Sequence, residues 1–140
     1  MKESRTLAID FGEKRIGIAV TDPLNIFAYP LVTLLNDSSI WENLSSIIKE
    51  YSVEKIIIGF PVKESGANSI VSESVLKFKD EIEKRFLIIS ELVDERYSSK
   101  IAQQRILEKV SSKKKRKDKS SIDQNAAAVL LEDYLSKMKY

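Results

Sequence analysis

LAIDFGEKRIGIAV, from Leu7 to Val20, sets one carboxylate, Asp10, inside an otherwise apolar strand. Leu7, Ala8, Ile9 and Phe11 form a short apolar run, Gly12-Glu13-Lys14-Arg15 reads as a tight turn, and Ile16, Ile18 and Val20 alternate with smaller residues as a second strand. The stretch is a β-hairpin with an acid near its tip. An ionised carboxylate on a strand bound for the core is costly unless a cation, hydrogen-bond donors or water pair with it. A lone Asp at a strand end can accept hydrogen bonds from its own turn. Metal ligation is the alternative, and it requires further carboxylates to converge on Asp10.

Composition bounds what such a site can be. The 140 residues fit a single domain, 1–140, long enough to bury one sizeable core. The 43% hydrophobic and 31% charged content is that of a soluble globular chain, and no apolar run approaches a membrane span. MKESRTLAID runs straight into the first strand without the apolar core of a signal peptide, so a cytoplasmic location is expected. With no cysteine there is no disulfide framework or thiolate site, and with no histidine there is no Ser-His or Cys-His catalysis. Any metal must be a hard cation held by oxygens. The net charge is only +2, but KKKRKDK, Lys113 to Lys119, concentrates a quarter of the Lys and Arg in one place.

Beyond the hairpin, Thr21-Asp22-Pro23 breaks the second strand and Ala28 to Leu35 reads as a third, with Pro30 favouring an edge or strand-start position. Ser39 followed by Glu42 fits a capping box, and Ile40, Leu44, Ile47, Ile48 and Tyr51 fall at helical spacing. Val53 to Phe60, VEKIIIGF, is a continuous apolar run of the kind covered on both faces in a parallel sheet. A polar loop, Val62 to Ser69, precedes a helix marked by Val71, Val75, Phe78 and Ile82 that ends near Arg85. Phe86 to Val93 is the fifth strand, stopping at Asp94-Glu95-Arg96. Ser98 or Ser99 can cap a helix through Ala102, Ile106 and Val110. The basic segment Ser111 to Ser121 lacks apolar periodicity and reads as a mobile loop. The last helix, from about Ser121 to Met138, carries Ala126, Ala127, Leu130, Leu131 and Tyr134 on its inner face. Three antiparallel strands followed by strand–helix alternation give an α/β class: a mixed five-stranded sheet with helices on its faces.

Two further acids stand out. Asp123 lies three and four residues before Ala126 and Ala127, so it shares the inward face of the last helix, in what reads as the first turn. Favourable interaction with the helix dipole is the structural account of such a residue. Asp94 and Glu95 close the fifth strand, one on each side of the sheet, and pairing with Arg96 is the structural alternative there. Ligands of open α/β sheets gather at the carboxyl ends of parallel strands, where Asp10, Glu95 and the loop after Gly59 can meet. Three acids from separate segments suit one or two Mg²⁺ or Mn²⁺ ions, which act on phosphodiesters without histidine.

LAIDFGEKRIGIAVTD, IIIGFPV, LVDER and IDQNAAAVLLEDYL, in this order and at these intervals, resemble the YqgF/RuvX family of RNase H-fold proteins, described both as pre-16S rRNA nucleases and as Holliday junction resolvases. The similarity runs from about Leu7 to Leu135. It implies an RNase H-like fold with strand order 3-2-1-4-5, and a Mg²⁺- or Mn²⁺-dependent active site carried over to Asp10, Glu95 and Asp123, with Asp94 the less favoured of its pair. Two departures bear on substrate rather than on the acids. Lys63 falls where the family's loop after Gly59 and Pro61 carries an Asn, and the segment before Asp123 is more basic and serine-containing than the expected glycine-bearing stretch.

A nuclease needs cations for the phosphate backbone. Lys113, Lys114, Lys115, Arg116 and Lys117 precede Asp123, and Lys14, Arg15, Arg96 and Lys100 lie near the acids in sequence. Such residues give salt-dependent affinity without sequence preference, although a charge run is commonly a solvated segment. Three functions follow. The first is 5′ maturation of pre-16S rRNA, which implies RNA and ribosome association. The second is cleavage of four-way DNA junctions, which implies a homodimer with two active sites. The third is a non-catalytic nucleic-acid-binding module. The hairpin's Asp-Phe-Gly also resembles the first phosphate motif of sugar kinases and actin, but those proteins place a nucleotide between two such domains and 140 residues accommodate one.

Overall fold

The computed structural model describes residues 4–60, 73–94 and 119–138. Its sheet is built from β1 (Arg5–Asp10), β2 (Arg15–Thr21), β3 (Ala28–Leu35), β4 (Val53–Phe60) and β5 (Ile89–Asp94). Among the described residues three helices accompany it: α1 (Ile40–Glu50), α2 (Glu73–Phe86) and α3 (Lys119–Met138). The strand order is β3-β2-β1-β4-β5. Strands β1, β2 and β3 pair antiparallel, while β4 lies parallel to both β1 and β5. This is the expected RNase H-like order, with the apolar β4 run in the interior and Pro30 on the edge strand.

Alternation along the strands divides the core into two layers. Leu7, Ile9, Phe11, Ile16, Ile18, Val20, Ile56, Ile58 and Phe60 face α1 and α2, packing with Leu44, Val75, Phe78 and Ile82. The opposite rows supply Ala8, Ala19 and Ile57 against Ala127, Ala128, Leu130, Leu131 and Leu135 of α3. Small side chains on that face let α3 approach the sheet closely. Ala127 to Leu131 are five consecutive buried residues, so the middle of α3 is covered on more sides than the single inner stripe expected. No helix among the described residues is long and apolar enough to cross a membrane.

Local details depart from expectation at three places. Ser39 occupies the N-cap of α1 but makes no side-chain cap, because its backbone is already helical (φ −78°, ψ −10°) and its hydroxyl donates to Asp37 Oδ1. α2 runs on to Phe86, and β5 begins only at Ile89. The intervening Leu87 adopts φ 54°, a left-handed conformation that ends the helix without glycine. α3 begins at Lys119, within the segment read as a loop. The proposed helix from Ser98 or Ser99, the loop Val62 to Ser69 and the basic residues Lys113 to Lys117 lie outside the described residues.

Candidate active site

Asp10 ends β1 with glycine on both sides: its Cα partners are Gly17 of β2 and Gly59 of β4. Alternation from Ala8 places Asp10 on the α3 face, in the same row as Gly17 and Gly59. The hairpin turn that follows is held on two sides. Phe11 N donates to Gly59 O at 3.0 Å, Asn36 N donates to Lys14 O at 2.9 Å, and Asn36 Nδ2 donates to Gly12 O at 2.9 Å. Gly12 is required there, since a Cβ would sit 2.4 Å from the Arg15 carbonyl oxygen.

Gly17 brings the last helix to this tip. A Cβ on Gly17 would lie 2.1 Å from the carbonyl oxygen of Asp123 and 2.4 Å from its carbonyl carbon, so the α3 backbone rests directly on the strand. Paired Cα atoms in an antiparallel ladder are about 4.5–5.5 Å apart. Asp10 therefore lies beside Gly17 in the sheet, and the Asp123 backbone lies over Gly17 on the α3 face. Arg15, two residues before Gly17 and on the same face, completes the junction. Its Nε donates to Asp123 Oδ2 at 2.9 Å, the two side chains being 34% and 27% exposed. Asp123 lies in the second turn of α3, and the first turn holds no acid. The dipole interaction expected of a first-turn acid is thereby replaced by an ion pair.

Gly17 is the site residue that sequence reading undervalued. It counted only as a small residue between Ile16 and Ile18, although a glycine inside a strand is itself a signal of close backbone approach. The Arg15–Asp123 pair had no local signal, because 108 residues separate its partners.

A family model described as "RuvX: Holliday junction resolvase" matches residues 4–137. The chain belongs to the RuvX family. A protein of Sulfurihydrogenibium sp. named "Putative pre-16S rRNA nuclease" is 38% identical over 141 residues, covering 98% of this chain and 93% of its own. A relative of the same name from Flavobacterium psychrophilum is 38% identical over 134 residues, covering 95% and 97%. Among solved structures, Thermus thermophilus RuvC in complex with a Holliday junction substrate superposes with TM-score 0.54 at 12% identity, covering 96% of each chain. The Fowlpox virus resolvase bound to Holliday junction DNA gives 0.56 at 12% identity, covering 97% of this chain and 99% of its own. At that identity the two structures establish the shared RNase H-like fold.

Of the residues the RuvX resemblance singles out, Asp10 and Asp123 come together around Gly17. Glu95 and Arg96 lie outside the described residues, as do Lys113, Lys114, Lys115, Arg116 and Lys117. Position 94 pairs with Phe60 and belongs to the strand row of Ser90 and Leu92, the row opposite to Asp10. Lys14 is exposed in the hairpin turn, and Arg15 is half-buried at the start of β2. Among the described residues no group of three Asp, Glu, His or Cys side chains gathers closely enough to hold a metal. The donors that do converge are carboxylates only, which suits a hard divalent cation such as Mg²⁺ or Mn²⁺ rather than a soft one.

Proposed function

We propose that this chain is a divalent-metal-dependent nuclease that hydrolyses phosphodiester bonds of precursor 16S rRNA during 5′-end maturation. Approach of Asp10 and Asp123 to the same glycine, Gly17, carries the reading, and the names of the relatives support the substrate. Asp10, Asp123 and Glu95 would hold Mg²⁺ or Mn²⁺. Glu95 is preferred to Asp94 on the resemblance to the RuvX family. Such a cation, when bound, supplies Lewis-acid activation of water and neutralises charge on the phosphate.

The chain's own residues provide the rest. Water oxygen forms the new P–O bond as the bond to the departing oxygen breaks, leaving a phosphate monoester and a hydroxyl. Asp10 and Asp123 fix the reacting centre at the carboxyl ends of β1 and β4, and Lys14 and Arg15 stand beside it to neutralise phosphate. Arg96 and the run Lys113 to Lys117 would add salt-dependent affinity for the phosphate backbone.

The family model's own description favours a second substrate, a four-way DNA junction. Purified protein with Mg²⁺ or Mn²⁺ should cleave a precursor rRNA leader in preference to a synthetic four-way junction, and Asp10→Asn should abolish the cleavage. Cleavage of the junction alone would assign the chain to recombination. Binding without cleavage by wild type and variant alike would make it a nucleic-acid-binding module.

A further inference from the structure

The ion pair at the hairpin tip sets a competition. Arg15 holds Asp123 Oδ2 at 2.9 Å through Nε, so the carboxylate proposed for metal ligation carries a guanidinium. Both side chains remain partly exposed, at 34% and 27%, so the contact is open to exchange from solvent. Exposed or half-exposed pairs of this kind contribute little to stability, commonly below about 1 kcal/mol. A docking role for the pair is largely redundant, because α3 is already fixed by backbone contact at Gly17 and by buried Ala127, Ala128, Leu130 and Leu131.

We propose that Arg15 is an exchanging residue. Its guanidinium occupies the Asp123 carboxylate until a divalent cation takes that carboxylate, and Arg15 then turns to a phosphate oxygen of the nucleic acid. This rests on the nuclease reading above and adds to it an order of events: metal occupancy releases the arginine that grips the substrate. Guanidinium suits the second role, since its planar fork matches a phosphate as well as a carboxylate. The turn geometry suits it too. Arg15 opens β2 beside the exposed Lys14, so a small rotation of its long side chain reaches outward while its backbone stays in the ladder with Leu35.

The consequence is a pair of opposite effects from one substitution. Arg15→Met keeps the aliphatic stem and removes the charge. Mn²⁺ binding, followed by electron paramagnetic resonance on the free protein, should tighten about threefold to tenfold, because a competing cation has been removed from the carboxylate. Binding of a labelled single-stranded RNA and of a synthetic four-way junction, in Ca²⁺ to prevent cleavage, should weaken, with the salt slope falling by about one. Arg15→Lys should restore most of the salt slope but less of the affinity. Mn²⁺ binding that Asp123→Asn impairs but Arg15→Met leaves unchanged or weakens would overturn the exchange and leave the metal reading standing. Mn²⁺ binding indifferent to both Asp10→Asn and Asp123→Asn would overturn the metal reading and the exchange with it.

Discussion

Gly17 does more for the candidate site than its lack of a side chain suggests. Its Cα pairs with Asp10, its absent Cβ is the space occupied by the Asp123 carbonyl, and both neighbours, Ile16 and Ile18, are fully buried. The obstructing atoms are helix backbone rather than a side chain that can rotate, so relief requires α3 to move away from the strand. Gly17→Ala should therefore destabilise the protein by about 1–3 kcal/mol, as overpacked substitutions do. It should lower cleavage far more than the loss of folded protein explains, because Asp123 is displaced from Asp10. Thermal unfolding and turnover measured on the same preparation separate the two effects. Asp10 was legible from sequence because a carboxylate in an apolar strand is an anomaly on its own. Asp123 was legible by face, through Ala126 and Ala127, but its pairing with Arg15 was not, since nothing local in either segment records a partner 108 residues away.

Two helices end in the left-handed region without glycine. Ser52 follows α1 at φ 51°, its N–H donating to Lys49 O at 3.4 Å, and Leu87 follows α2 at φ 54°, its N–H donating to Glu83 O at 3.1 Å. An L-residue pays roughly 1–2 kcal/mol for that conformation. Leu87 is 88% exposed, so replacing it forfeits little burial. Leu87→Gly should raise stability by about 0.5–1 kcal/mol, read as a shift of the denaturation midpoint with unchanged slope. The same feature explains the misplaced boundary between α2 and β5. Phe86-Leu87-Ile88-Ile89 looks like the opening of a strand, and without glycine nothing in it announces a helix end. VEKIIIGF was read correctly because its composition and its punctuation by Gly59 and Pro61 agree with its position between two parallel neighbours. The capping box at Ser39 failed because its backbone is already in the helical region rather than the extended one a cap requires, while Asp37 accepts from both its amide and its hydroxyl.

Across the whole molecule the absence of histidine and cysteine removes the side chains that ordinarily titrate near neutrality. Among the described residues the groups with displaced pKa values lie at the extremes. Asp22 is held below the ordinary carboxylate value by the amides of Phe27, Ile26 and Leu24, Asp37 by the Ser39 hydroxyl and amide, and Glu83 by Lys79. Their folded-state values lie below the unfolded ones, so their stabilisation is complete above the ordinary carboxyl range and is lost as pH falls through the folded values. Lys55 is raised by the Tyr134 hydroxyl and by Glu91, so its contribution is complete below 10.5 and disappears as pH rises through the higher folded value. The thermal midpoint should be nearly level from about pH 6 to 9 and fall below about pH 4; a marked slope near neutrality would contradict this reading. The placement of α3 has a temporal side as well. The hairpin bearing Asp10 emerges early in synthesis, whereas Asp123 arrives more than a hundred residues later and reaches the hairpin only by closing that long separation. A chain still being made can hold one carboxylate of the pair but not both, so the ability to cut nucleic acid would be withheld until the last helix has docked, and activity becomes a report that folding is complete.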